Sequence, residues 1–156
     1  MAHLKLTIDD FYSNDFELIA IHTTIEDYKL AYLINRILEL SLSKNQKDIC
    51  IQSNNETGFF PWFYFDDDKH DLIWNLVANK TVVAKSNTSI GLFDEDNVTF
   101  HLIPELKKAD YLLKIENLDD HFNTQLVVNK IIEINQVSTC YIADVDAIKS
   151  INNLIF

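Results

Sequence analysis

Apolar positions along this chain change period in a way that repeats. A short apolar run, ELIAIHT from Glu17, is followed by Tyr28, Ala31, Leu33, Ile34, Ile37 and Leu38, which recur near every 3.6 residues. The pattern predicts a strand and then a helix packed on a sheet. It returns further on, where the run from Tyr111 to Ile115 is followed by Leu126, Val127, Ile131 and Ile132 at helical spacing. Thr23 with Glu26, and Asn117 with Asp120, have the three-residue offset of a capping box, which closes each strand and opens each helix. A β-rich run follows each helix: DICIQS around Cys50 and STCYIADV around Cys140.

The two stretches align without a gap at an offset of 94 positions, Leu18 falling on Leu112, Ile21 on Ile115, Asn35 on Asn129 and Glu39 on Glu133. Two β-α-β units, 17–53 and 111–145, therefore frame the chain, either as an old duplication or as two similar solutions to one packing problem. Between them lie strand candidates at Phe59 to Phe65, Leu72 to Asn79 and Val98 to Leu102. The first two form an aromatic hairpin around the polar turn Asp66 to Asp71. Residues 85–97 read as a polar connection. No Pro/Gly/Ser-rich linker interrupts the chain, so residues 1–156 are expected to be one domain. The fold class expected is α+β, a sandwich related to the ferredoxin-like type: two β-α-β units frame an antiparallel meander, with both helices on one face of the sheet.

Charge narrows the function classes. Twenty-four acidic residues against 13 basic ones give a formal net charge of −11, and Arg36 is the only arginine. Such a field repels phosphate backbones and anionic lipid, so neither direct nucleic-acid binding nor membrane binding is expected. The amino-terminal segment lacks a signal-peptide apolar core, and no run approaches the ~18 apolar residues of a transmembrane span, which points to the cytoplasm. Cys50 and Cys140 stand alone in strand-like runs and read as reduced core thiols.

Little catalytic machinery is visible. Gly58 and Gly91 are the only glycines, so no phosphate-cradling loop is present, and zinc-type cysteine/histidine spacing is absent. No cofactor and no metal site is expected, and catalytic residues are unknown. Asp144 and Asp146 read as a solvated strand end, and Asp66, Asp67, Asp68, His70 and Asp71 as a charged turn. His22 sits at a strand-to-helix junction, and Asn35 and Asn129 read as helix residues with local hydrogen bonds. Ile90, Leu92 and Phe93 in a polar loop, together with Leu154, Ile155 and Phe156, are apolar groups at positions that often mark partner surfaces.

The segment Ile103-Pro104-Glu105-Leu106-Lys107-Lys108-Ala109-Asp110-Tyr111 resembles the motif of the IPExxxVDY family, with Ala109 where the family name has valine. The resemblance implies a cytoplasmic bacterial protein and supplies no activity. Physically, Pro104 stops the strand through Leu102, a turn follows, and Asp110-Tyr111 restarts the chain into the second unit. Glu105, Asp110 and Tyr111 join the apolar loop and tail as the candidate partner or ligand surface. The function expected is that of a non-catalytic interaction or regulatory protein that binds another protein, with homodimerisation as one form of it. The alternatives are a ferredoxin-like small-molecule sensor, with its ligand near His22 to Thr24 and Asn117 to Asp119, or an enzyme of unrecognised class.

Overall fold

The computed structural model describes residues 16–85 and 97–156. The chain runs through β1 (Phe16–Thr23), α1 (Asp27–Leu38), β2 (Ser43–Lys44), β3 (Ile49–Ser53), β4 (Glu56–Phe60), β5 (Trp62–Asp67), β6 (Leu72–Ala78), β7 (Lys80–Ala84), β8 (Asn97–His101), β9 (Tyr111–Glu116), α2 (Thr124–Ile132) and β10 (Val137–Ile142). It is a mixed α+β structure. Six strands form one antiparallel sheet in the order β10-β1-β9-β6-β5-β2, and β3-β4 and β7-β8 are separate two-stranded pairs.

Strand alternation sends successive side chains of β1 to opposite faces of the sheet, and both faces are covered. Ile19 and Ile21 meet Leu30 and Ile34 of α1 and Val127 and Ile131 of α2 in one buried cluster. Leu18 and Ala20 point the other way, into a second cluster with Phe60, Leu102, Ile103 and Leu154. Both helices therefore lie on one face, as the apolar period predicts. The opposite face is roofed by the small strand pairs and the chain after β10. Gly58 shows how closely these layers meet, since a Cβ there would stand 3.0 Å from the Phe100 side chain and 3.1 Å from that of Thr81.

The middle of the chain departs from expectation. The run Phe59 to Phe65 is two strands: Pro61 separates β4 from β5, which belong to different sheets. The strand carrying Cys50 does not return to the main sheet. It turns back through Asn54 and Asn55, both at positive φ (50° and 66°), a two-residue connection that asparagine tolerates well. Only the later unit, β9-α2-β10, sends both of its strands into the main sheet, where they flank β1. The strand β7, absent from the expected set, pairs with β8 away from that sheet. The aromatic hairpin is found as β5-β6, in register from Trp62 opposite Val77 to Asp67 opposite Leu72.

Neither capping box forms. Thr23 Oγ1 accepts from the Ile25 amide and donates to the Gln136 carbonyl (2.7 Å), so Glu26 is the N-cap of α1 and lends no side-chain bond. Asn117 adopts a positive φ of 62° at the end of β9, and α2 is capped by Asn123, whose side chain accepts from the Leu126 amide. The helices end 94 positions apart, at Leu38 and Ile132, matching the internal alignment, but their starts, Asp27 and Thr124, do not.

Candidate functional site

Asn79, at the end of β6, organises the segment that resembles the IPExxxVDY motif. It is 0 % exposed, a polar side chain that burial would penalise if left unpaired. Its Nδ2 donates to the carbonyls of Leu106 (2.9 Å) and Ala109 (3.0 Å), and its Oδ1 accepts from the Ile103 amide (2.8 Å). Its backbone amide donates to the Asp110 carbonyl, and its carbonyl accepts from the Leu102 amide. The chain from Leu102 to Asp110 thus wraps one carboxamide. Pro104 sits in the first turn of a short 3-10 helix, Pro104–Leu106, where its missing amide costs no bond.

The three candidate residues of this segment point to three different tasks. Glu105 accepts from the Lys149 and Ser150 amides (2.9 and 3.0 Å) and from the Ser150 hydroxyl (2.5 Å), tying the corner to the chain after β10. The Ser150 hydroxyl holds the Glu105 carboxyl below its ordinary range, with desolvation opposing and backbone donors assisting. Asp110 Oδ2 accepts from the Thr23 amide (2.9 Å), and its Oδ1 accepts from Lys80 Nζ (3.2 Å). The Tyr111 hydroxyl donates to the Ile25 carbonyl (2.8 Å), and burial, reinforced by Asp27, Asp110 and Glu26, pushes it up to about 12. All three bond within the chain, which is the behaviour of a structural corner.

The apolar tail is divided. Leu154 is 1 % exposed and belongs to the core, which corrects its assignment to a partner surface. Its burial follows from the apolar pocket it fills against the sheet. Ile155 is largely exposed, while Phe156 packs edge-on against Trp62 with ring centroids 5.0 Å apart. Beneath lies Lys114 of β9, 5 % exposed, whose ammonium donates to the Leu154 carbonyl, pairs with Glu116 and faces the rings of Phe16 and Phe156. Asn75 extends the network, donating to Glu116 Oε2 (3.0 Å) and accepting from the Trp62 indole (3.1 Å). Ile90, Leu92 and Phe93 lie outside the described residues.

The remaining candidates disperse. His22 contacts Tyr141 (Nε2 to Oη 3.4 Å), His70 pairs with Asp67 (2.7 Å), and Asp144 accepts from the Asp146 amide as a local turn cap. Asn35 clamps Leu42 through both its amide and its carbonyl, whereas Asn129 accepts from Gln125 within its own helix, so the two aligned asparagines are not equivalent. Among the described residues, no group of three His, Cys, Asp or Glu side chains is placed to hold a metal ion. Cys50 is exposed, which corrects its reading as a core thiol: β3 lies on the outer pair rather than in the sheet. Cys140 is half-buried, and burial pushes its thiol up to about 12.

Among the described residues, one edge of the main sheet has a long strand with no neighbour beyond it. The main sheet ends on one side at β2, two residues long and carrying Lys44, and on the other at β10, whose six residues, VSTCYI, include no charge. The Ala143 amide donates to the Leu18 carbonyl, opposite which it stands. Antiparallel alternation then turns the amides and carbonyls of Cys140 and Ile142 away from β1. Ser138 is the extra residue of a bulge at the start of the strand, and its hydroxyl donates to the His22 carbonyl. Tyr141 and Ile142, each more than a third exposed, flank the open edge.

No helix among the described residues is long and apolar enough to cross a membrane. No family model, curated protein or solved structure matches the chain.

Proposed function

We propose that this chain is a non-catalytic, cytoplasmic interaction protein that binds an extended segment of another protein along β10. The supporting observation is the asymmetry of the sheet. Proteins commonly blunt exposed edges with short strands, lysine or proline, and β2 has two of these features, while β10 has only the bulge at Ser138. Added strands obtain affinity from main-chain bonds and selectivity from neighbouring side chains, here Tyr141 and Ile142. A net charge of −11 on each copy opposes self-association and favours a neutral or basic segment as the occupant. The strands β1, β6, β9 and β10 with α1 and α2 would then be the core of a ferredoxin-like sandwich, expanded between α1 and β6, with its outer strand given to recognition.

The test is Ile142→Pro, which removes an outward-facing amide while sparing the amides that bond to β1. Tagged wild type purified at moderate salt is expected to carry a stoichiometric partner that the variant loses, with the melting temperature little changed. Retention of that partner by the variant would remove β10 as the docking edge. Recovery of a dimer of this chain alone would overturn the choice of a heterologous partner.

A further inference from the structure

Between α1 and the segment that joins α2 to β10 lies an open pocket of about 610 Å³. Its apolar part is made by Leu33 and Ile37 of α1, which pack against the core, and by the buried Ile134. Its polar part is made by Lys29 and Arg36 from α1 and by Asn135 and Gln136 from the connection, all four exposed. Lys29, Leu33 and Arg36 recur at spacings of four and three, so they form one stripe along the helix.

Three observations give this pocket a chemistry. Arg36 is the only arginine in a chain with 24 acidic residues, yet neither it nor Lys29 forms an ion pair among the described residues. Among the described residues no aspartate or glutamate lines the pocket, and all four polar side chains there can donate hydrogen bonds. Gln136 is held at a φ of 75°, an uncommon conformation for a residue with a side chain. Its carbonyl is fixed by the Thr23 hydroxyl at 2.7 Å, so its backbone is pinned beside the two cations.

We propose that this pocket binds a small organic anion, a carboxylate or a phosphate ester carried on an apolar body. Arg36 takes the anionic group through its planar fork, which suits both oxyanions, and Lys29 adds a second charge. Asn135 and Gln136 donate to the remaining oxygens, and Leu33, Ile37 and Ile134 receive the apolar body. The apolar body is part of the proposal for a physical reason: the field of the whole chain repels anions, so an inorganic ion gains too little from two exposed cations. The site is separate from β10 and stands or falls independently of it.

The experiment uses the full chain and three probes, benzoate, phenyl phosphate and benzylamine, titrated by calorimetry and by amide chemical shifts. At least one of the two anions is expected to saturate, shifting the amides around Arg36 and Gln136, while benzylamine leaves them unmoved. The tighter anion identifies the headgroup as carboxylate or phosphate. Arg36→Gln is expected to weaken binding by about tenfold or more and Lys29→Gln by less, both with unchanged melting because the side chains are exposed. The proposal is overturned if neither anion saturates by about 10 mM, if benzylamine shifts the same amides equally, or if Arg36→Gln binds as wild type does.

Discussion

The Lys114 ammonium donates to the backbone carbonyl of Leu154 at 2.8 Å, so a buried charge in the middle of the sheet secures the last turn of the chain. The lysine is fully occupied, with Glu116 at 2.8 Å and two phenyl faces near 5 Å. Burying an ammonium is costly unless such partners compensate, so the tail and the lysine depend on each other.

Lys114→Met should therefore destabilise the fold although methionine is the more apolar residue. It leaves the Leu154 carbonyl and part of the Glu116 carboxylate without a donor, at a cost of about 2–4 kcal/mol, less than a fully buried pair because Glu116 retains some solvent. Leu154→Ala should cost about 2–4 kcal/mol through the cavity it opens. Urea unfolding measures both. A Lys114→Met protein as stable as wild type would show that the tail is held by packing alone.

Asn79→Leu keeps the approximate volume and removes three side-chain bonds, stranding the Ile103 amide and the carbonyls of Leu106 and Ala109. We expect a loss of about 3–5 kcal/mol. Asn79→Asp should be worse still at neutral pH, since a carboxylate would then face two carbonyl oxygens. Thermal melts of both variants decide the point: a change below about 1 kcal/mol in Asn79→Leu would mean that the corner holds without its hub.

How far the sequence carried the structure depended on what each residue did with its polar atoms. The runs that became β1, β9, α1 and α2 were legible because their apolar periods are long and uninterrupted, and because packing on one sheet demands those periods. The helix starts were not, because Thr23 spends its hydroxyl on Ile25 and Gln136 rather than on a cap. The strand β7 was missed since it pairs with β8 at the periphery, where its residues are half-buried or exposed, Val82 among the exposed ones, and apolar alternation is weak. Asn79 and Lys114 escaped notice as single polar residues within apolar runs. Those runs are themselves the signal: a strand buried on both faces leaves a polar residue in its midst no route to solvent. Glu105, Asp110 and Tyr111 were found by their motif, but their partners come from distant segments that no local pattern reveals.

The two cysteines should differ in reactivity. Cys50 is exposed on β3, while Cys140 is half-buried, with its thiol pushed up to about 12 by desolvation. Burial therefore keeps Cys140 in its thiol form at pH 8, so an alkylating reagent should modify Cys50 first and Cys140 slowly. Peptide mapping after limited alkylation reads the order. Equal rates would mean that β10 opens readily, and a faster Cys140 would contradict its placement beside the helix-side core.

Tyr111 supplies a pH dependence with a definite sign. Its hydroxyl is raised from 10.0 to about 12 in the folded protein, chiefly by burial, because folding favours the protonated form that donates to the Ile25 carbonyl. A group whose value is raised on folding contributes fully below its unfolded value and loses that contribution as pH climbs through the folded one. Its contribution should therefore be constant up to about pH 10 and fade toward pH 12. Tyr111→Phe lacks the hydroxyl and should be less stable by about 1 kcal/mol at neutral pH. The gap between wild type and variant, measured by urea unfolding at intervals from pH 8 upward, should narrow once pH exceeds 10. Lysines and the other tyrosines titrate in both proteins and largely cancel in that difference. A gap that stays constant to the highest accessible pH would show that the Tyr111 hydroxyl is not held protonated by the fold.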